Sequence, residues 1–247
     1  MYGICIISMA PGRSEPSDKS EMVTQVLFGE HFHVMQKKKK WSLIKIAADG
    51  YECWIDNKQY KGINKAFYDS IDKPVNCIRQ LEDVMPVSIN GQKQYLLKGS
   101  VINESILTKF KVDIQTSIPS AVLRPVQYAR QYLNAPYLWG GRSPFGLDCS
   151  GLVQMCFYLS GKSMPRDAYQ QAEIGEPVDF IEEVKEGDLA FFDNTEGKIT
   201  HVGFILAGGN VLHASGKVRI DKIDHQGIYN KELKAYTHKL RIIKRIS

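Results

Sequence analysis

A chain of 247 residues exceeds the usual single-domain size and can bury a sizeable core, so two or three domains are expected. Its composition is that of an ordinary globular protein, and a net charge of +5 mildly favours an anionic substrate without demanding nucleic acid. Five cysteines without framework spacing argue against a disulfide-stapled secreted fold, and no apolar stretch approaches the roughly 18 residues that a bilayer-spanning helix needs.

The start, Met1-Tyr-Gly-Ile-Cys-Ile-Ile-Ser8, has no positive n-region and runs straight into a Pro/Gly loop, so it reads as a strand and not as a signal peptide. On that reading the protein is cytoplasmic; the alternative is a periplasmic or exported protein from which a leader has been removed. Residues 1–60 hold short β-type segments separated by turn residues, as a small barrel requires, with Trp41 and Trp54 expected to supply much of its core. The run Lys37 to Lys40 lies between two apolar stretches and reads as a solvated hairpin tip, with none of the aromatic interleaving of a nucleic-acid platform. Residues 61–118 stay β-rich, and Val84–Ile89, the turn Asn90-Gly91 and Gln94–Leu97 give a hairpin, in either a second small β domain or a linker. Pro119 and Pro125 flank a boundary, after which Val126–Leu133 reads as a helix. Residues 119–247 then place helices first and strands later, an α+β arrangement.

The chemistry centres on Leu147-Asp148-Cys149-Ser150-Gly151. A cysteine attacks a carbonyl as the thiolate, and its ordinary pKa of about 8.5 leaves only a few per cent ionised at neutral pH. Residues 150–160 read as a helix with apolar positions at three- and four-residue spacing, closed by Gly161. Asp148 is its N-cap, which puts Cys149 in the first turn, where free N–H groups and the dipole favour a thiolate and can bind an oxyanion.

The base should be a histidine. Of the six present, His201 and His213 lie in a hairpin pattern, His201–Leu206 and Asn210–His213 around Gly208-Gly209. A two-residue loop would put the two imidazoles on opposite faces; a three-residue loop, Ala207 to Gly209, pairs His213 with Gly203 and makes His201 its same-face diagonal neighbour, roughly 7–8 Å away by backbone. The odd loop is expected. His31, His33, His225 and His238 read as surface residues, and Cys5, Cys53, Cys77 and Cys156 as buried and inert. A zinc site from Cys149, His201 and His213 has ligands of the right type but no supporting spacing, so no metal and no cofactor are expected.

Four segments together, Tyr137-Leu-Trp139-Gly-Gly141, Asp148-Cys-Ser-Gly151, Gly187-Asp-Leu-Ala-Phe-Phe192 and His201-Val-Gly203, resemble in order and spacing the NlpC-type cell-wall peptidases of the papain-like superfamily. With Pro165–Gln171 the resemblance is nearest to γ-D-glutamyl-L-diamino acid endopeptidases that carry a bacterial SH3-like domain. It implies an α+β papain-like catalytic domain at 119–247, preceded by one or two all-β SH3-like barrels: one at 1–60, and at 61–118 a second, divergent one or a β-rich linker. It also implies Cys149 as nucleophile, His201 as base, His213 as the third member, and Tyr137, twelve residues before the cysteine, as an oxyanion donor.

Substrate contacts are carried over in the same way. Asp148 and Ser150 flank the nucleophile, and the aspartate would hold the free amine of an N-terminal L-alanine, with Tyr51 of Asp49–Trp54 assisting and Glu21 a second partner. Cys53 stands where that domain usually has glycine. Trp139 is a further substrate-binding candidate, and Arg166 is either a structural ion-pair former or a contact for a substrate carboxylate. The alternative readings are Asp148 as a cap alone and Tyr51 as cover for the barrel edge. The implied reaction is hydrolysis of the γ-D-glutamyl-diamino acid bond in murein peptides by a monomeric enzyme with no nucleic acid or membrane partner. The alternatives are a wall-peptide binding protein with a decayed site, and an acyl transferase or amidase on the same fold.

Overall fold

The computed structural model describes residues 1–72, 79–114 and 122–246, so Cys77 and Pro119 lie outside the described residues. The chain divides into two compact units, one of Met1–Val122 with Trp139–Pro144, the other of Leu123–Leu138 with Phe145–Ser247.

In the first unit, β1 (Tyr2–Cys5), β2 (Met9–Arg13), β3 (Met22–Leu27), β4 (His31–Lys37), β5 (Trp41–Ile46), β6 (Glu52–Asp56) and β7 (Tyr60–Ile63) form one sheet in the order β3-β2-β6-β5-β4-β1-β7. Its core is built from Val26, Phe32, Ile44, Ile46, Cys53 and Ile55. Of the two tryptophans expected there, Trp41 is buried and Trp54 is not. Alternation explains Trp54: on β6 the inward positions are Cys53 and Ile55, so Trp54 faces outward, half-buried beneath the Lys38 ammonium at 4.5 Å. Lys38 to Lys40 form the exposed β4–β5 connection, as expected.

Asn64 caps α1 (Lys65–Ile71) by accepting from the Phe67 N–H. The expected hairpin is β8 (Val84–Ile89) and β9 (Gln92–Leu97), turned by Asn90 and Gly91 at φ 50° and 78°. After α2 (Glu104–Phe110), the short β10 (Val112–Asp113) completes a sheet β10-β8-β9. Its apolar face shares a core with Ile4 and Phe28, so these segments bury themselves against the barrel's own residues. His31, read from sequence as a surface residue, is buried and bonded to Asp72 at 3.0 Å. His33 and His225 are exposed.

Also in the first unit is β11 (Arg142–Ser143). The buried Arg142 guanidinium pairs with buried Glu30 at 3.0 Å and donates to the Gln25 carbonyl.

In the second unit, α3 (Pro125–Gln131) starts with proline at its first position, and β12 (Gly146–Leu147) leads into α4 (Cys149–Leu159). Then come α5 (Ala168–Gln171), β13 (Glu176–Pro177), β14 (Leu189–Asp193), β15 (Ile199–Leu206), β16 (Asn210–Ser215), β17 (Lys217–Ile223), β18 (Gly227–Asn230) and β19 (Ala235–Arg245). The sheet order is β13-β19-β14-β15-β16-β17-β18, and β19 also pairs with β18, so β14 to β19 close on themselves around Ala190, Phe192, Ile205, Val211, Ile223 and Ile228. Helix α4 is buried along its whole length and packs on β15 and β16, with Phe157 stacked on Phe204. This is the α+β order expected from sequence.

Candidate functional site

The turn before α4 is braced from three directions. Asp148 caps the helix by accepting the Gly151 N–H at 2.6 Å. Its carboxylate also takes the fork of Arg166, Nη1 to Oδ1 at 3.0 Å and Nη2 to Oδ2 at 2.5 Å, and Arg166 Nη1 donates to the Ser150 hydroxyl at 3.0 Å. Gln171 donates to the carbonyls of Ser150 and Pro165. The segment Pro165–Gln171 is therefore a clamp on the turn that opens α4. Of the two roles weighed for Arg166, the substrate-carboxylate contact is corrected: the guanidinium is 2% exposed and its fork is engaged by Asp148.

Cys149 opens α4 and is buried. Its thiol lies 3.8 Å from the Thr200 carbonyl, and the Val202 amide also reaches the sulfur, so it is bracketed by the backbone on either side of His201. Burial pushes the thiol up to about 12, the Asp148 carboxylate adds to this, and the amides of Val202 and Ser150 oppose it. The thiolate expected from the helix dipole is thus not the resting form; desolvation outweighs the dipole.

The β15–β16 register is the one expected, Gly203 opposite His213 and a three-residue loop from Ala207 to Gly209. Gly203 is required by that pairing. A Cβ there would stand 2.9 Å from the His213 Cβ and 2.9 Å from the Leu212 carbonyl. His201 Nε2 lies 2.8 Å from His213 Nδ1, and His213 Nε2 lies 3.0 Å from Asp221 Oδ2. Arg219 holds Asp221 through Nε at 2.8 Å and Nη2 at 3.0 Å.

Burial alone would raise the Asp221 pKa, but hydrogen bonds from His213 and Arg219 outweigh it and the carboxylate is held below its usual range. An ionised carboxylate only accepts, so His213 donates from Nε2, accepts at Nδ1 from His201 Nε2–H, and leaves His201 Nδ1 as the basic nitrogen. Burial, then His238 and His213, hold His201 well below the ordinary histidine value.

His238 is corrected from surface residue to part of this cluster. Its half-buried ring stacks on His201, centroids 4.1 Å apart at 26°, and burial lowers it to about 4. Sequence reasoning missed both Asp221 and His238. Asp221 had a signal: the Ser215-Gly216-Lys217 turn puts Arg219 opposite His213, which makes Asp221 a same-face diagonal neighbour. His238 had none, because it arrives only when β19 closes the sheet.

Tyr137 is held next to the same turn by its own N–H to the Gly216 carbonyl at 3.0 Å and by the bonds joining its neighbours to Leu147. Burial, with Cys149 and Asp148, pushes its phenol up to about 12, so it stays a donor. In the first unit, the exposed Trp139 donates its indole N–H to Glu21 at 2.5 Å, and Gly140, at φ 76°, leaves room for the Met22 carbonyl. Tyr51 packs half-buried against the barrel core, its backbone N–H bonded to Asp49. Among the described residues no group of three or more His, Cys, Asp or Glu is arranged to hold a metal ion, and no helix is long and apolar enough to cross a membrane.

The family model described as NlpC/P60 matches residues 134–237, and that of the bacterial dipeptidyl-peptidase SH3 domain matches 12–59. The chain is similar to a γ-D-glutamyl-L-lysine dipeptidyl-peptidase of Bacillus subtilis, 32% identical over 235 residues that cover 85% of this chain and 78% of the relative. It is also similar to dipeptidyl-peptidase 6 of Lysinibacillus sphaericus, 26% identical over 94% of this chain and 96% of the relative. The crystal structure of an NlpC/P60 family protein from Bacillus cereus superposes with a TM-score of 0.76 over 99% of both chains at 20% identity, a likeness of fold. The Cys149 helix turn and the paired histidines of β15 and β16 fall within the matched residues, and the chain belongs to the NlpC/P60 family, with a bacterial dipeptidyl-peptidase SH3 domain ahead of the NlpC/P60 domain.

Proposed function

We propose that this protein is a cysteine endopeptidase that hydrolyses the γ-D-glutamyl-diamino acid bond of murein peptides bearing a free N-terminal L-alanine. The observation that carries the reading is the hydrogen-bonded line His201–His213–Asp221 beside a cysteine at a helix N-terminus. The similarity to the γ-D-glutamyl-L-lysine dipeptidyl-peptidase over most of both chains supports the choice of bond.

In this reaction His201 Nδ1 takes the Cys149 proton as the sulfur bonds to the γ-carbonyl carbon of D-glutamate. The oxyanion is met by the Tyr137 hydroxyl and by the Cys149 amide, which at the first helical position has no carbonyl partner within the helix. His201 then passes its proton to the leaving amine of the diamino acid, and the carbon–nitrogen bond breaks. Water, deprotonated by His201, hydrolyses the thioester and releases L-Ala-γ-D-Glu. The line to Asp221 stabilises the imidazolium that forms at each stage.

Selection of the free amine by Asp148 belongs to the same proposal, with Asp148 also serving as cap and Arg166 partner. Incubation with L-Ala-γ-D-Glu-diaminopimelate and its lysine counterpart tests the reading. Release of the free diamino acid by the wild type and none by Cys149→Ala is expected. Ligation products, or cleavage of N-acetylated peptide at the same rate, would refute the reaction or the amine selection respectively.

A further inference from the structure

We infer that His238, one residue beyond the matched 134–237 segment, is a positioning residue for the His201 imidazole: it holds one face of that ring by stacking and must itself be uncharged for the ring to accept a proton. This rests on the reading of His201 as the base.

The ring of His201 is walled on three sides. His238 lies parallel to one face at 4.1 Å, His213 meets it edge-on at 5.1 Å, and Phe192 closes in at 5.7 Å. A ring so enclosed keeps the orientation in which Nε2 donates to His213 and Nδ1 stays bare. His238 is fixed in turn. The Thr237 hydroxyl donates to the Ile228 carbonyl at 3.4 Å, so its oxygen accepts from His238 Nδ1–H at 2.9 Å. That fixes Nδ1 as a donor and sets the ring's face against His201.

The reaction makes His201 an imidazolium, and a neutral aromatic face stabilises a cation while a second imidazolium repels it. The titratable groups facing His238 are His201 from β15, His213 from β16 and Asp221 from β17. From β14 it meets Phe192, and across the register on β18 Ile228, neither of which titrates. Burial and His213 outweigh the opposing pull of Asp221, which keeps the ring neutral at neutral pH.

The test is steady-state hydrolysis of L-Ala-γ-D-Glu-diaminopimelate by wild type, His238→Ala and His238→Phe, with thermal unfolding followed in parallel. His238→Ala should lower kcat about tenfold with KM unchanged, the scale of a lost aromatic stack plus a cation–π contact. His238→Phe keeps the stack and removes the titration, so it should restore most of that loss and move the acid limb of kcat to lower pH. A His238→Ala variant as fast as wild type, or a Phe variant as slow as the alanine one while equally well folded, overturns the inference. An acid limb unchanged in His238→Phe overturns its charge requirement. Turnover persisting in Cys149→Ala would instead remove the underlying reading of the site.

Discussion

Asp221→Asn isolates what the buried carboxylate does for the histidine pair. Asp221 accepts from His213 Nε2 at 3.0 Å on Oδ2 and from Arg219 Nη2 at 3.0 Å on Oδ1, with the Arg219 guanidinium in ion-pair contact at 2.8 Å. Asparagine has one acceptor oxygen for these two donors. If its oxygen stays on Arg219 Nη2, its amide must donate towards His213 Nε2, which moves the His213 proton to Nδ1. His201 Nε2 then faces a donor and can no longer donate to His213, so its own proton shifts to Nδ1, and the basic nitrogen is lost. If the oxygen stays with His213 instead, the amide faces the guanidinium and the charge on the acceptor is still gone. A hydrogen bond to a charged group contributes about 1.5–3 kcal/mol, so kcat should fall by about tenfold to about 150-fold. KM should not move, because Asp221 acts through His213 in the proposed reaction. Peptide hydrolysis across a substrate range gives both constants, and thermal unfolding controls for fold. A folded variant with kcat within about twofold of wild type would refute the tautomer argument.

Gly203→Ala forces a Cβ to 2.9 Å from both the His213 Cβ and the Leu212 carbonyl; denaturant unfolding should show a loss of about 1–3 kcal/mol, with a fall in kcat as His213 is displaced. The Cys149 thiol, raised to about 12 by burial, is protonated throughout the neutral range, so its iodoacetamide labelling in the free enzyme should climb about tenfold per pH unit into the alkaline range. A plateau already reached near neutrality would show a preformed thiolate. Arg166→Leu removes the cation paired with the buried Asp148 carboxylate and should destabilise by about 3–5 kcal/mol, read as a lower denaturation midpoint at unchanged slope.

Local chemistry was legible in the sequence to the extent that it was carried by neighbours in the chain. The cap at Asp148, the helix it opens and the Gly161 stop need only a few consecutive residues, and all three are present. The β15–β16 register was legible because loop length and the period of two decide which face His213 takes. Trp54 was misread because size was weighed above alternation: Cys53 and Ile55 hold the inward positions of β6, and Trp54 does not. His31 was misread because its partner Asp72 is far along the chain, and His238 because β19 must pair with β14 and β18 at once to bring it to His201.

Charge around Cys149, the proposed nucleophile, is balanced in pairs before any substrate arrives. Asp148 is neutralised by Arg166, and Asp221 is shared between His213 and Arg219. Between these pairs lie a thiol pushed up and an imidazole pushed down, both by burial. In the proposed reaction, proton transfer from Cys149 to His201 therefore creates a new ion pair, in surroundings that screen it poorly. The amides of Ser150 and Val202 favour the thiolate and Asp221, through His213, favours the imidazolium, so the protein already aims dipoles at both products of that transfer. On this account activation belongs to the moment of attack: the sulfur is ionised as the carbonyl accepts its electrons, and a resting enzyme with a neutral pair is protected from indiscriminate thiol chemistry.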